Sequence, residues 1–399
     1  MSGFATTSSG RVALRFVLLI GVLSLFADCT YEGSRSILGQ YLASLKASAT
    51  VVGIITGFGE LAGYGLRLVS GRLADTTRRF WPIIIFGYVL QMVSVPALAL
   101  TSTWPAAAAL IILERVGKAI RNPPRDVMLS YAGERIGGYG WAFGLHEAFD
   151  QTGAVIGPLL VAAVLAWHGN YRYAFGILVV PAAINILLVL TARAIYPRPQ
   201  DLAVRQPSSS SAAFSPLYWI YLIAAALVAA GFADYPLIAF HLRHTGLVSG
   251  ESIAVFYAVA MAVSGSGSLL FGRLFDRFGF PVLVALTAVS SLFAPLVFLG
   301  GSWLALIGAA LWGLGMGVHE SIIPAAVSPL VAVKQRASAF GLFTAIYGLA
   351  WFVGSALIGI LYDHRLWAAV VFCTGTQLLA LPILWWVGAR ANRRDRSAV

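Results

Sequence analysis

The feature that most constrains this chain is a series of apolar runs, each long enough to cross a lipid bilayer. Hydrophobic residues make up 59% of the 399 residues, charged residues make up 11%, and the mean hydropathy is +0.82. A helix of about 20 apolar residues spans the hydrocarbon core, and the alternation typical of membrane β-strands is missing from these runs. We therefore predict an all-α polytopic membrane protein with twelve transmembrane helices, which lie at roughly 14–40, 50–70, 81–100, 105–128, 139–166, 172–194, 215–241, 252–271, 281–299, 303–326, 338–361 and 366–388.

The basic residues are distributed unevenly between the two sides of this topology. Of the 27 Lys and Arg residues, seventeen fall on the side that carries both termini, four fall on the opposite side, and six lie within spans. Lys and Arg are enriched in cytoplasmic loops, so this asymmetry predicts a protein of the cytoplasmic (inner) membrane with both termini in the cytoplasm. The net charge of +11 is thereby explained by topology, and we expect no nucleic-acid partner.

The two halves of the chain repeat each other. "FAD" occurs at 26–28 and 232–234, "AFG" at 142–144 and 339–341, and "GRLADTTRRF" at Gly71 is echoed by "GRLFDRFGF" at Gly272. Three matches in the same order and at similar offsets indicate an internal repeat. A Pro- and Ser-rich stretch separates the halves. We predict an N-terminal six-helix bundle at 1–194, a flexible cytoplasmic linker at 195–214, and a C-terminal six-helix bundle with a basic cytoplasmic tail at 215–399.

The repeated phrase resembles the loop signature G-x-x-x-D-R-x-G-R-R of the major facilitator superfamily, and the likeness covers essentially the whole chain. The first copy departs from it, because Thr76 stands where the signature has Arg. The resemblance implies two six-helix bundles and transport by alternating access. It also implies a cytoplasmic loop that closes the inner side, although setting the topology is an alternative role for it. The residues expected in this gating loop are Gly71, Asp75, Arg78, Arg79, Gly272, Asp276 and Arg277.

Span five contains a second motif. In "GLHEAFDQTGAVIGPLL", Gly144, Gly153, Gly157 and Pro158 resemble the G-x8-G-x3-G-P-x2-G signature of the superfamily's drug/proton antiporters, with Val161 in place of the last Gly. Small residues on one helix face allow a neighbouring helix to approach closely. The resemblance implies a proton-coupled exporter, and plain helix packing is the alternative explanation.

Charged residues within the predicted spans are candidates for proton coupling and for the substrate cavity. Each costs about 2.5–3.5 kcal/mol at the bilayer centre, so we expect them to serve a function. A carboxylate that pairs with Arg in one conformation and meets water in another changes its pKa between them, which is the physical basis of proton coupling. The alternative is an ion-pair network that only fixes helix packing. The candidates are Asp28, Glu32, Arg35, Glu60, Arg67, Glu114, Arg115, Lys118, Arg121, Asp150, Asp234 and Glu320.

Among these candidates we rank Asp28 and Glu32 first, because the first span faces the central cavity in the fold that the resemblance implies. Asp150 follows, and then Glu60 and Asp234. In span four, Arg115 and Lys118 resemble the superfamily's R-x-x-Q-G motif, with Lys118 in place of the Gln. The prolines at 123 and 124 are expected to interrupt that helix.

We predict a secondary active transporter that exports a small molecule in exchange for protons. The alternative is a proton symporter that imports an anionic solute, which Arg35, Arg67, Lys118 and Arg121 would favour. An enzyme is disfavoured, because "HEAFD" lacks the second His of H-E-x-x-H and no nucleophile elbow or phosphate-binding loop is present in the sequence. A non-transporting receptor would not need matched titratable groups. We expect no cofactor, no metal and a monomer whose partners are the substrate, protons and the lipid bilayer.

Overall fold

The structure, a computed structural model, is helical through almost all of the residues that it describes, which are 8–77, 79–133, 136, 139–198, 214–327, 330–331 and 336–397. In this part of the chain there is no β-strand, and eleven helical segments are long and apolar enough to cross a membrane. The predicted all-α polytopic fold is confirmed. Most of the predicted linker lies outside the described residues, and the bundle boundaries 1–194 and 215–399 stay a prediction.

The chain divides into two compact units. The first unit consists of Met1–Ile37 and Ala62–Pro207, and the second unit consists of Leu38–Leu61 and Ser208–Val399. The first two helices therefore each contribute to both units. The helices from the N-terminus to the middle of the chain are α1 (Ser8–Ser44), α2 (Ala49–Thr77), α3 (Phe80–Ala97), α4 (Trp104–Gly133), α5 (Tyr139–His168), α6 (Tyr171–Gly176) and α7 (Val179–Ile195).

Several spans in the second half of the chain are interrupted and therefore consist of two or more short helices. The span that begins at Pro216 is broken between Ala230 and Tyr235, and another passes into a π-helix at Val318–Ile322. Its helices are α8 (Pro216–Ala230), α9 (Tyr235–His244), α10 (Gly250–Phe278), α11 (Phe280–Ser290), α12 (Phe293–Leu299), α13 (Ser302–Gly317), α14 (Ile323–Ala325), α15 (Arg336–His364) and α16 (Leu366–Ser397).

The predicted fourth span, 105–128, coincides with α4, but α4 is not one of the eleven apolar segments. Its 30 residues make it about 45 Å long, which is enough to cross a bilayer. It differs from the other spans in carrying a row of charged side chains, which are Glu114, Arg115, Lys118, Arg121, Arg125 and Asp126. The predicted span that is not among the eleven apolar segments is therefore a charged helix, and its charged side chains need partners inside the protein.

The expected break in this helix does not occur, since α4 continues through Pro123 and Pro124. Proline at 123 removes the amide hydrogen that would bond to the carbonyl of Ala119 four residues earlier. The hydroxyl of Ser70 on α2 donates a hydrogen bond to that carbonyl at 2.9 Å. A side chain from a neighbouring helix thus replaces the lost backbone bond, which is how membrane helices accommodate proline.

The prediction of a loop at the two repeated phrases is also wrong, because most of both segments is helical. The segment 71–77 forms the last turns of α2, and Gly272 lies inside α10, six residues before its end at Phe278. The glycine that ends a helix is Gly279, whose φ of +68° is in the left-handed region that glycine adopts readily. Arg78 lies outside the described residues. The gating role of Asp75 stays a prediction, which a normal transport rate in Asp75→Asn would contradict.

Glycines allow α5 to lie directly against α1. A Cβ atom added at Gly153 would collide with the carbonyl oxygen of Leu25, and one added at Gly157 would collide with that of Cys29. Only hydrogen atoms can occupy these positions, as the small-residue motif indicated. In the same way, a Cβ on Gly87 of α3 would lie 2.8 Å from the carbonyl oxygen of Gly117 on α4. These contacts hold α5 against α1 and α3 against α4 within the first unit.

In the second unit, the start of α2 is fixed by a carboxylate. Asp363, near the end of α15, accepts hydrogen bonds from the backbone amides of Ala49 at 3.0 Å and Thr50 at 2.8 Å. The first amides of a helix have no partner inside the helix, and an anionic acceptor satisfies them and also complements the helix dipole. Gly53 and Gly57 pack on Ser355 of α15 just below this cap.

We expect Asp363→Ala to lower the stability of the protein by about 1 kcal/mol, because two helix-terminal amides lose their acceptor. For a unit of about 200 residues this corresponds to a decrease in Tm of about 2–4 °C, measurable by thermal unfolding in detergent. Arg365→Ala is the matched control, since it removes a nearby exposed charge that does not bond to α2. Equal Tm values for the two variants would show that the cap contributes nothing.

Candidate functional site

Arg121 of α4 is the centre of a buried polar cluster in the first unit. Its guanidinium lies 3.7 Å from Oδ1 of Asp28 on α1, and it donates hydrogen bonds to Gln91 Oε1 at 2.7 Å and to Tyr88 OH at 3.1 Å on α3. It also stacks over the Tyr88 ring at 4.5 Å. Arg121 is only 1% exposed, so this charge depends on its protein partners. The base beside Asp28 is therefore Arg121.

The same hydrogen-bond network extends along α4 to Glu114. Gln91 uses its amide oxygen for Arg121 and its amide nitrogen for Glu114, with Nε2 at 3.0 Å from Oε1 of that carboxylate. The other oxygen of Glu114 lies 3.6 Å from Nε of Arg115. One neutral side chain on α3 thus connects a basic and an acidic residue that are two turns apart on α4. Both ends of its amide have a partner, as a buried amide requires.

Tyr31 of α1 is surrounded by positive charge. Lys118 Nζ lies 3.7 Å from the centre of its ring, and the guanidinium carbons of Arg115 and Arg35 lie at 5.0 Å and 5.9 Å. Arg35 also donates a hydrogen bond to the Tyr31 hydroxyl at 3.2 Å. Glu32, the residue that follows Tyr31 in the sequence, is also buried. Cation–π contacts of this kind stabilise a desolvated cation by up to about 2 kcal/mol, which offsets part of the cost of placing it in the membrane.

A third group of titratable residues lies where α5 packs on α1. His146 Nδ1 is 3.4 Å from Oδ2 of Asp150, and its Nε2 forms a hydrogen bond of 2.8 Å with Ser24 Oγ. Arg125 donates to the same hydroxyl at 3.3 Å and pairs with Asp126 at 2.8 Å. Asp150 is within electrostatic range of Asp28, Arg121 and Arg125. Asp28 on α1 and Asp150 on α5 therefore share Arg121 of α4 as a basic partner.

Most of the candidates predicted in the first half belong to this cluster. Asp28, Glu32, Arg35, Glu114, Arg115, Lys118, Arg121 and Asp150 all lie in the first unit, on helices that contact each other. Two candidates of α2 differ. Glu60 belongs to the second unit, whereas Arg67 lies in the first unit with its guanidinium 5.2 Å from the Tyr64 ring. The boundary between the two units therefore falls between these two residues of α2.

The second-unit candidates Asp234 and Glu320 are in different environments. Asp234 is 2% exposed and sits at the break between α8 and α9, where it accepts hydrogen bonds from Trp351 Nε1 at 3.2 Å and Ser355 Oγ at 2.9 Å. Glu320 is exposed on the π-helix. Its neighbour His319 is buried between Phe232 and Trp351 and bonds through Nδ1 to the Tyr347 hydroxyl. Interrupted membrane helices and π-helices are frequent at binding sites.

Several residues of the cluster were not predicted. Gln91, Tyr88 and Ser24 supply hydrogen bonds that hold Arg121, Arg125 and His146. Gln91 was detectable, because it is a lone amide in an otherwise apolar span. Ser24 carried no such signal, since serine is common in membrane helices. In the described part of the chain no group of three or more His, Cys, Asp or Glu side chains is arranged to hold a metal ion.

Buried charges inside an all-helical membrane protein usually mark the path of a substrate or an ion, which is the feature of membrane transport proteins. The sequence matches the family model of the Major Facilitator Superfamily over residues 18–318 and 244–398, and the chain belongs to this superfamily. It is therefore a multi-pass membrane transporter and not an enzyme. The fold is that of two six-helix bundles, as the resemblance implied.

Individual relatives agree with this family. An uncharacterized protein of Mycobacterium tuberculosis is 41% identical over 392 residues, which is 96% of each chain. An uncharacterized MFS-type transporter of Methanocaldococcus jannaschii is 25% identical over 365 residues, covering 87% of this chain and 88% of the relative. Among solved structures, the peptide transporter POT in complex with sulfate has a TM-score of 0.73 at 15% identity, covering 97% of this chain and 99% of its own. The nucleoside transporter NupG has a TM-score of 0.69 at 14% identity, covering 95% and 98%.

We expect Arg121→Gln to destabilise the protein by about 3–5 kcal/mol, because it leaves the carboxylate of Asp28 buried without its base. Thermal unfolding in detergent measures this loss. The double variant Arg121→Gln, Asp28→Asn should be more stable than the single Arg121→Gln variant, since neutralising the acid removes the stranded charge. Additive effects of the two substitutions would contradict an energetic link between them.

Proposed function

We propose that this transporter exports a small molecule from the cytoplasm in exchange for protons, as in the drug/proton antiporter branch of its superfamily. The observation that carries the proposal is the cluster of buried acids and bases on α1, α4 and α5, in which Asp28 and Asp150 share Arg121 and Asp150 also interacts with Arg125. We also propose that the protein lies in the cytoplasmic membrane with both termini in the cytoplasm, and that it works as a monomer.

A carrier couples protons to transport when an acid binds a proton in one conformation and releases it in the other. Asp28 is paired with Arg121 across a helix interface, so a movement of α1 relative to α4 changes the distance between them. A carboxylate close to an arginine favours the ionised form, and the same carboxylate without that partner in the membrane favours the protonated form. Alternating movement of these helices would thereby bind and release protons at Asp28.

The antiporter-like motif supports exchange because of where it lies. Gly153 and Gly157 contact α1 at the carbonyls of Leu25 and Cys29, on either side of Asp28. On the same helix, His146 and Asp150 form the pair next to Ser24 of α1. The face of α5 that carries the motif is therefore the one that positions the coupling helix. A rigid, side-chain-free contact at this point makes α1 and α5 move together.

We expect at least one of Asp28→Asn, Glu32→Gln and Asp150→Asn to abolish proton-driven uphill transport while downhill exchange of solute is partly retained. Neutralising the coupling acid removes the proton-binding step but leaves the path for the solute. Both activities can be measured in proteoliposomes with and without an imposed pH gradient. Glu251→Gln, at the start of α10 in the second unit, is the control. If all three variants accumulate solute normally, Asp234 or Glu320 becomes the leading candidate.

Import of an anionic solute together with protons is the second candidate function, and the three cations around Tyr31 favour it. Inverted membrane vesicles distinguish the two directions. With the vesicle interior acidified, an exchanged solute moves inward as protons leave, so its addition collapses the pH gradient. A symported solute added outside does not move against the outward flow of protons and leaves the gradient intact. A panel of cationic, neutral and anionic organic solutes would be screened for this response.

A further inference from the structure

We propose that Lys118 is the anchor for a negatively charged group of the transported solute, a carboxylate or a phosphate, bound beside Tyr31 in the first unit. This inference rests on the proposed function in that the solute is taken to pass through the charged cluster, and it holds for either direction of transport. It narrows the solute to small organic anions.

The first reason is that the charge of Lys118 is not balanced in the way that its neighbours are. Arg115, Arg121 and Arg125 each have a carboxylate within 4.0 Å, at 3.6, 3.7 and 2.8 Å. No carboxylate of the described residues lies within that distance of Lys118 Nζ. Glu114 and Glu147 interact with its charge only from farther away, and its close contact is the ring of Tyr31 at 3.7 Å. A lysine in the middle of a membrane protein is normally paired with an anion.

The second reason is the hydrogen-bonding capacity of the ammonium group. Lysine has three N–H donors, and the face of a ring takes the place of at most one of them. Arg115 and Arg35 reinforce the positive potential on the same tyrosine. Lys118 is half-buried, whereas Tyr31 is 3% exposed, so Lys118 is the more accessible of the two residues. A carboxylate or phosphate that contacts Lys118 would supply acceptors for its remaining donors.

The third reason is depth, which distinguishes a solute from a lipid headgroup. Lys118 lies fourteen residues after the start of α4 at Trp104 and fifteen before its end at Gly133. At 1.5 Å per residue it is about 21 Å from one end of the helix and about 22 Å from the other. Headgroups lie at the ends of membrane helices and not at their centres. The anion that reaches Lys118 is therefore a solute.

The test is binding of defined anions to the purified full-length protein, held at one pH in a neutral detergent and low-salt buffer. Thermal unfolding, followed by tryptophan fluorescence, is recorded with increasing benzoate or inorganic phosphate, and with benzamide as the neutral match for benzoate. We expect both anions to raise Tm in a saturable way and benzamide to have no effect. Lys118→Gln should weaken the apparent affinity about 10- to 100-fold, and Lys118→Arg should restore most of it.

Arg390→Gln is the matched control, because Arg390 lies 4.3 Å from the Trp386 ring in a similar cation–π contact on α16, far along the chain from the cluster. It should leave the anion response unchanged. The proposal is overturned if Lys118→Gln responds to the anions as the wild type does, or if neither anion raises Tm. It is also overturned if only phosphatidylglycerol added to the micelles has an effect. Since no pH gradient is present, failure of proton coupling would not alter these results.

Discussion

Arg121 connects three helices through its contacts with Asp28, Gln91 and Tyr88, and the arrangement of the first unit depends on this one buried cation. In a bilayer there is no water to solvate a guanidinium, so a helix that carries one must meet acceptors from its neighbours. α4 carries several charges and is the long helix that is not apolar enough to count among the eleven apolar segments. The apolar helices around it can be placed in several ways by hydrophobicity alone, but few placements satisfy the charges of α4.

The close contacts at glycine make this satisfaction possible. Side chains as short as aspartate reach a neighbouring helix only if the backbones are near each other, and the glycine pairs between α3 and α4 and between α1 and α5 provide that proximity. Gln91 and Arg121 follow Gly87 and Gly117 by four residues each, so they lie one turn beyond the contact on the same faces. Packing and electrostatics are thus produced by the same local pattern, a small residue followed one turn later by a polar one.

The second unit handles its polar groups differently. Its acid, Asp234, lies where a helix is interrupted and takes neutral donors from Trp351 and Ser355. The interruption frees backbone carbonyls, and side chains satisfy them: Trp312 donates to Ala233 at 2.8 Å and Gln377 to Gly231 at 3.2 Å. The first unit thus carries many side-chain charges, while the second has a few polar groups among aromatic rings, at or near the breaks in its helices. An uneven division of this kind is compatible with coupling in the first unit and shape recognition in the second.

The sequence by itself determined the membrane-spanning helices, the repeat, the superfamily and most of the buried charges, because each depends on local composition or on spacing along one helix. The continuation of α4 through Pro123 was predicted incorrectly, since the partner of the Ala119 carbonyl is a serine far away in sequence. The end of α2 was also predicted incorrectly, because the helix continues to Thr77. The pairing of the charges was likewise undetermined. The sequence does not say which cation lies beside Asp28, and the tertiary structure assigns Arg121, because the approach of α1 to α4 decides which of several similarly spaced cations comes within reach.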